Sequence, residues 1–262
     1  MKAKRDKRLL VISDLHCGHV VGLTPPEYRN GLGNPEVEEL QERLWGFYVS
    51  SLRKWKPFGA VLVNGDMTDG KGEKSGGTEL ITSDRLKQAD MACRSILETG
   101  CKTVWAKPGT PYHVGMTEDF EVAVIDKLKA KGVNANIDDN SLYEVNGKII
   151  NMKHFLSGSS IPHGRDTAIL SAGNWNLQWM LEGETKADIF IRSHLHYSRY
   201  IYDGNRHYII TPALQGLGSK GARKWNGVVH FGITIIDISK TGDVKVHFEI
   251  LRGLAKSKIQ TL

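Results

Sequence analysis

Cysteine is scarce in this 262-residue chain, with Cys17, Cys93 and Cys101 as the whole set and no Cys-x-x-Cys spacing. An odd, sparse set excludes a disulfide-stapled scaffold and fits reduced thiols in a cytoplasm, which is the expected location. Long hydrophobic runs are lacking too. The stretch LLVIS ahead of Asp14 is too short for a secretion signal, and no membrane span is expected. Internal repeats and low-complexity tracts are absent. Apolar residues at 40% and charged residues at 24% leave no reason to expect disorder. A chain of this length buries a sizeable core, and no domain boundary stands out, so one domain over residues 1–262 is expected. The formal net charge of +6 favours anionic partners such as nucleic acid or phosphorylated substrates. Much of that excess lies in MKAKRDKRLL, where a solvated tail is the simpler reading.

What the chain does have is a recurring unit: a short apolar run that ends in a polar, metal-capable residue. RLLVIS leads to Asp14-Leu15-His16, GAVLVN to Gly65-Asp66, and CKTVWAK to Gly109-Thr110-Pro111-Tyr112-His113. KIINMK leads to His154, and ADIFIR to Ser193-His194-Leu195-His196. Such runs read as buried strands. Helical spacing separates them: one helix from the Asn34-Pro35 start to Pro57, a second capped by Ser83 and stopped at Gly100, a third capped by Thr117 and ending at Gly132. Strand–helix alternation predicts parallel pairing in the first half. After His196, HYIITPAL, GVVHFGITIIDIS and DVKVHFEIL come without helices and predict an antiparallel sheet of their own. The expected class is α/β: two sheets packed face to face with helices outside. Segments 21–33, 70–82 and 157–165, rich in Gly, Ser and Pro, are the expected surface loops.

Each motif alone is weak, because any single Asp-x-His or lone His has an ordinary structural reading. His19, His163, His207, His230 and His247 keep that reading by default. The combination carries more. Side chains at the carboxyl ends of neighbouring strands converge on one crevice, and residues i and i+2 share a face, as Asp14 and His16 do and as His194 and His196 do. Mixed imidazole and carboxylate donors suit Mn, Fe, Zn, Co or Ni. Six donors exceed what one catalytic metal takes, whereas two metals sharing a carboxylate would use all of them. Cys17 beside the first motif is either a small filler or a neighbour of the metal.

In order and spread these blocks resemble the calcineurin-like metallophosphoesterases, whose pattern runs Asp-x-His, Gly-Asp-x-x-Asp/Asn, Gly-Asn-His-Asp/Glu, a lone His, then Gly-His-x-His. The resemblance implies a double-sheet sandwich and two divalent cations, with Mn favoured. Asp14, His16 and His196 would hold one cation, His154 and His194 the other, and Asp66 would bridge. It implies in-line attack of a metal-bound hydroxide on a phosphodiester or phosphomonoester, with nucleic-acid diesters slightly favoured by the basic charge. Two departures stand out. Ser193 replaces a glycine. Thr110 and Pro111 occupy the places of the metal-ligating Asn and the acid His, so Thr110 would offer only a neutral hydroxyl. His113 is then either a replacement ligand or general acid, or an ordinary loop histidine. This Gly-Thr-Pro-x-His form looks like a phage-type branch of the family. Asp69 either fixes the His16 tautomer or is a plain turn residue. His163 and Arg165, and with less weight Arg192, are candidates for contacting the phosphoester, and Arg223, Lys224 and Trp225 form either a nucleic-acid contact or a basic turn. The altered third block also admits a different class, a non-catalytic scaffold for protein interaction. A metal-dependent hydrolase of other esters or amides would use similar ligands in a different block order.

Overall fold

The structure is a computed structural model that describes residues 5–29, 34–114, 120–159, 161–218 and 227–254. Strand β1 (Lys7–Ile12) begins the chain's first sheet. Helix α1 (Pro35–Trp55) comes next, capped as its sequence predicts: the Asn34 side chain accepts from the Glu36 and Val37 N–H groups, with Pro35 in the first turn. Then come β2 (Ala60–Asn64), α2 (Arg85–Leu97), β3 (Thr103–Lys107), the single turn α3 (Pro111–Val114), α4 (Phe120–Ala130) and β4 (Asn134–Ile137). The second sheet takes β5 (Tyr143–Val145), β6 (Lys148–Met152), β7 (Ile189–Arg192), β8 (Arg199–Tyr202) and β9 (His207–Ile210), with α5 (Thr167–Leu181) between β6 and β7. Strands β10 (Phe231–Ile238) and β11 (Val244–Leu251) close the order.

The sheets run β11-β10-β1-β2-β3-β4 and β5-β6-β7-β9-β8. Strands β1 to β4 pair in parallel, as the alternation predicts. So do β6, β7 and β9. The apolar runs are unbroken because these strands are covered on both faces. Leu9 and Val11 face Ile150, Ile189 and Ile191 across the inter-sheet core, while Leu10 and Ile12 face Leu44, Tyr48 and Ile96 under the helices. A third cluster, with Phe190, Tyr208 and Ile169, seats α5 on the second sheet. The two-sheet architecture flanked by helices is the expected one.

Two local expectations change. The strands after His196 do not make a separate antiparallel sheet. Instead β9 joins β7 in parallel, while β10 pairs antiparallel with β1 and extends the first sheet. Burial decides this: Phe231 to Ile236 are covered throughout, which only a place inside a sandwich provides. Helix α2 is capped by Asp84 rather than Ser83, the carboxylate accepting from Leu86 and Lys87 N–H. Thr117 lies outside the described residues, as do Arg223, Lys224 and Trp225. No helix among the described residues is long and apolar enough to cross a membrane.

Candidate metal centre

Every parallel strand that carries a motif ends at the same rim. Just past β1, Asp14 N–H donates to Gly65 O. His16 and Cys17 N–H donate to Asp66 and Met67 O, so the loops after β1 and β2 are laced together. Leu214 N–H reaches Asp14 O, His230 N–H reaches His196 O at 2.7 Å, and Ser193 N–H reaches His154 O. Beneath the rim the two sheets are tied by polar side chains. Asn64 donates to Ser193 Oγ at 2.6 Å, and Ser193 Oγ lies 2.7 Å from Thr211 Oγ1, which in turn lies 2.8 Å from Ser13 Oγ. The serine at the expected glycine place is thus a fully buried inter-sheet link.

The donor atoms of the six expected ligands converge in two groups whose members all lie within 4.8 Å of one another, Asp14, His16 and His196, and Asp14, Asp66, His154 and His194; a third such group, His16, Asp69 and His113, adjoins them. Asp14 belongs to the first two. Asp66 Oδ2 lies 3.0 Å from His154 Nε2 and 4.0 Å from His16 Nε2. Asp14 Oδ1 lies 3.1 Å from His196 Nε2 and 3.9 Å from His154 Nε2. His154 Nδ1 sits 2.6 Å from Asn64 O and His16 Nδ1 2.9 Å from Asp69 Oδ1. Each Nδ1–H therefore donates to oxygen and turns its Nε2 toward the cluster, the orientation that metal-ligating imidazoles adopt. Asp69 so serves both His16 and His113, whose Nδ1 is 2.9 Å from Asp69 O.

Two observations fit this cluster to a cation. His16 Nε2 is buried and makes no hydrogen bond, a condition that costs about 1–3 kcal/mol for a group without a partner, and buried Asp14 Oδ1 meets only imidazole nitrogens, the nearest being His196 Nε2 at 3.1 Å. The backbone is also held against its preference. Among the described residues the non-glycine positions with positive φ are Asp14 (51°), His16 (44°), Asp66 (49°), Asn146 (52°), His194 (71°) and His196 (54°). Five of these six are cluster residues, in a region that costs L side chains roughly 1–2 kcal/mol each. Glycines complete the packing. A Cβ on Gly109 would stand 2.1 Å from Asp66 Oδ1, and one on Gly65 2.6 Å from His154 Nδ1.

Charge is balanced internally. Burial opposes ionisation of Asp14, but the His196 and His154 rings hold its carboxyl well below the usual range. Asp66 shows the same pattern through His154. Burial works against charge on His154, yet Asp66 and Asp14 raise its pKa. His16 is pushed the other way, down to about 4, by burial and the nearby His113. Burial is opposed at His113 by the hydrogen bond to Asp69, and its pKa rises.

The other expected site residues lie around this cluster. Thr110 donates both N–H (2.7 Å) and Oγ1 (3.2 Å) to Asp66 Oδ1, so its hydroxyl is committed to that carboxylate. His113 stacks edge-on against His16, with ring centroids 4.4 Å apart. His163 is exposed on the turn Pro162–Gly164 and belongs to none of these donor groups. The Arg165 guanidinium lies over the Tyr197 ring at 4.9 Å. Cys17 is buried with its thiol on Leu23 O, a filler. Segment 70–82 folds against residues 18–20 through Val20 N–H to Glu79 O and Ile81 N–H to Gly18 O.

Sequence reasoning missed Glu121. It is fully buried, and its two carboxylate oxygens accept from Met67 N–H at 2.6 Å and Gly109 N–H at 2.8 Å, clamping the Asp66 and Thr110 loops together. Burial and the adjacent Asp66 carboxylate push its pKa up to about 8, against those two N–H donors.

Fold and site together define an α/β two-sheet protein with an Asp/His cluster able to hold divalent metal. No protein-family model and no curated protein matches the chain. Solved structures similar to it include an archaeal phosphodiesterase, covering 92% of this chain and 99% of its own at 12% identity and TM-score 0.46. Vacuolar protein sorting 29 from Cryptosporidium parvum covers 95% and 99% at 12% identity and TM-score 0.44. The same protein from Entamoeba histolytica, solved with zinc, covers 93% and 98% at 18% identity and TM-score 0.38. Likenesses this distant assign no activity, and only the chain's own geometry bears on its chemistry.

Proposed function

We propose that this chain is a calcineurin-like metallophosphoesterase that hydrolyses a phosphodiester or phosphomonoester, with nucleic-acid diesters favoured by its basic charge. The observation that carries the reading is the concentration of left-handed backbone on Asp14, His16, Asp66, His194 and His196, together with buried Asp14 Oδ1 and His16 Nε2 that lack a hydrogen bond. Strain of this kind persists where the surroundings enforce it for function. Asp14, His16 and His196 would hold one cation, and Asp66, His154 and His194, with Asp14 alongside, the other. Two divalent cations, Mn favoured, would supply Lewis acidity toward the phosphoryl oxygens and lower the pKa of water.

The residues themselves do the rest. Asn64 O and Asp69 fix the His154 and His16 tautomers. Glu121 holds the Asp66 loop against Gly109. Thr110 orients Asp66, and this leaves the place of a neutral ligand weakly filled. His113, partly exposed beside His16 and with its pKa raised by Asp69, is positioned to give a proton to a leaving oxygen.

The Thr110 position also favours a second reading, a scaffold with an impaired centre, because a threonine hydroxyl is a weaker oxygen donor than the amide whose place it takes. Hydrolysis of bis-p-nitrophenyl phosphate and p-nitrophenyl phosphate with added Mn2+, beside Asp66→Asn, separates the two. Metal-dependent release that drops at least about 100-fold in the variant supports the enzyme. No release together with well under one equivalent of bound metal selects the scaffold.

A further inference from the structure

Helix α5 turns an apolar face outward. Trp175 and Trp179 are each 60% exposed, and Leu181 is 86% exposed. Scattered exposed apolar residues are ordinary, but a contiguous aromatic patch on a soluble fold marks a contact surface. The tryptophans are four residues apart, share one face of α5, and line a cavity of about 820 Å3 together with Phe155, Lys153 and Arg192. That volume suits an organic ligand rather than a lone phosphate. The cavity also adjoins the metal centre: Phe155 comes directly after His154, and its ring centroid lies 5.1 Å from that of His194.

Arg192 gives the cavity its charge. Its side chain is buried at the end of β7, with Nη1 donating to Asn151 O and Ile191 O and Nη2 to Asn151 Oδ1. Among the described residues no carboxylate lies within ion-pair distance of it, so a rigidly held guanidinium faces the cavity without a counter-ion. Planar guanidinium of this kind matches phosphate geometry, and exposed Lys153 adds a second cation. Asp139 and Glu184 also line the cavity. They disfavour a polyanion along its whole length, but carboxylates accept from the amino groups of bases.

We propose that this cavity takes one nucleotide unit of a single-stranded nucleic acid, its base stacked on Trp175 and Trp179 and its phosphate on Arg192 and Lys153, with the adjoining phosphodiester at the Asp/His cluster. The inference rests on the phosphoesterase reading only for the cleavage of a bound strand, not for its binding. Aromatic platforms beside a cationic groove bind unpaired strands without demanding a sequence, because every base has a face to stack.

The test uses the full chain in EDTA, where no metal-dependent cleavage runs, and a short fluorescein-labelled oligodeoxycytidylate tracked by anisotropy. Trp175→Ala and Trp179→Ala should each weaken binding about tenfold, and Trp175→Phe should retain it. Both tryptophans are mostly exposed, and circular dichroism checks that the variants fold. Binding that ignores both alanine substitutions, no binding by the wild type, or equal and tryptophan-dependent binding of a phosphoserine peptide would overturn the proposal. If wild-type chain still hydrolyses bis-p-nitrophenyl phosphate in that case, the phosphoesterase reading survives alone. Tryptophan-dependent oligonucleotide binding by a chain without hydrolytic activity would instead sink the enzyme reading and leave the site.

Discussion

Asn146 and His194 both adopt positive φ, and the reasons are opposite. Asn146 forms with Gly147 the two-residue turn between β5 and β6, whose pairing from Val145 to Lys148 demands left-handed backbone. Asparagine tolerates that region, and here its side chain also donates to Arg5, Ile238 and Ser239 carbonyls. The strain has a local origin, the turn itself. No tight hairpin surrounds His194. It is held by long-range contacts, among them its N–H on Asp14 Oδ2. The turn serves the fold, whereas the rim sacrifices fold stability to bring carboxylates and imidazole lone pairs together, a cost that a cation, if bound as proposed, would offset.

The largest expected effect comes from that difference. Mn2+ at about 100 times its dissociation constant should stabilise the wild-type chain by about 2.7 kcal/mol, roughly 5–10 °C in thermal unfolding. Asp14→Ala should show no such shift. An equal shift in the variant would place the metal elsewhere.

Next comes pH. In the metal-free chain His154 and His113 have raised pKa values, so their contribution is full below the unfolded value near 6.5 and is lost as pH rises. Glu121, raised to about 8, acts in the same direction from about 4.5 upward. Metal ligation requires neutral imidazole and so strengthens with pH. Unfolding curves in EDTA and in Mn2+ should therefore diverge between pH 6.5 and 8.5 (with EDTA falling), and parallel curves would contradict the charge balance described for the cluster.

Asp69→Asn keeps the shape but weakens the hold on His16 and His113. Metal affinity by calorimetry should fall about 10–100-fold. The smallest effect compares the two kinds of strain directly. At Asn146 and at His196 alike, the glycine variant should exceed the alanine variant by about 1 kcal/mol in denaturant unfolding. Only at His196 should either variant lose the response to Mn2+.

The buried parallel strands were legible because burial on both faces writes unbroken runs such as LLVI and VLV. Their polar last residues were legible because Asp and His are out of place there. Three features had no local signature. Strand β10 reads as one more strand, and nothing near it says that its partner is β1, more than two hundred residues earlier. Exposed Trp175, Leu177, Trp179 and Leu181 blur the helical period of α5, so sequence reasoning assigned no helix there. Glu121 looks like any acidic residue in a helix's first turn. Only the approach of Met67, 54 residues away, makes it a clamp. Thr110 was legible as a departure, while its bond to Asp66 needed the loop geometry.

The place of β10 beside β1 bears on how the molecule is made. A ribosome has delivered all six cluster donors once His196 has emerged, yet β1, which ends just before Asp14, still has an open edge until residues 231–238 arrive to pair with it. During synthesis the cluster residues therefore wait in an unfinished sheet, and the last hairpin closes the sheet edge and brings His230, just ahead of it, to the rim at His196 O.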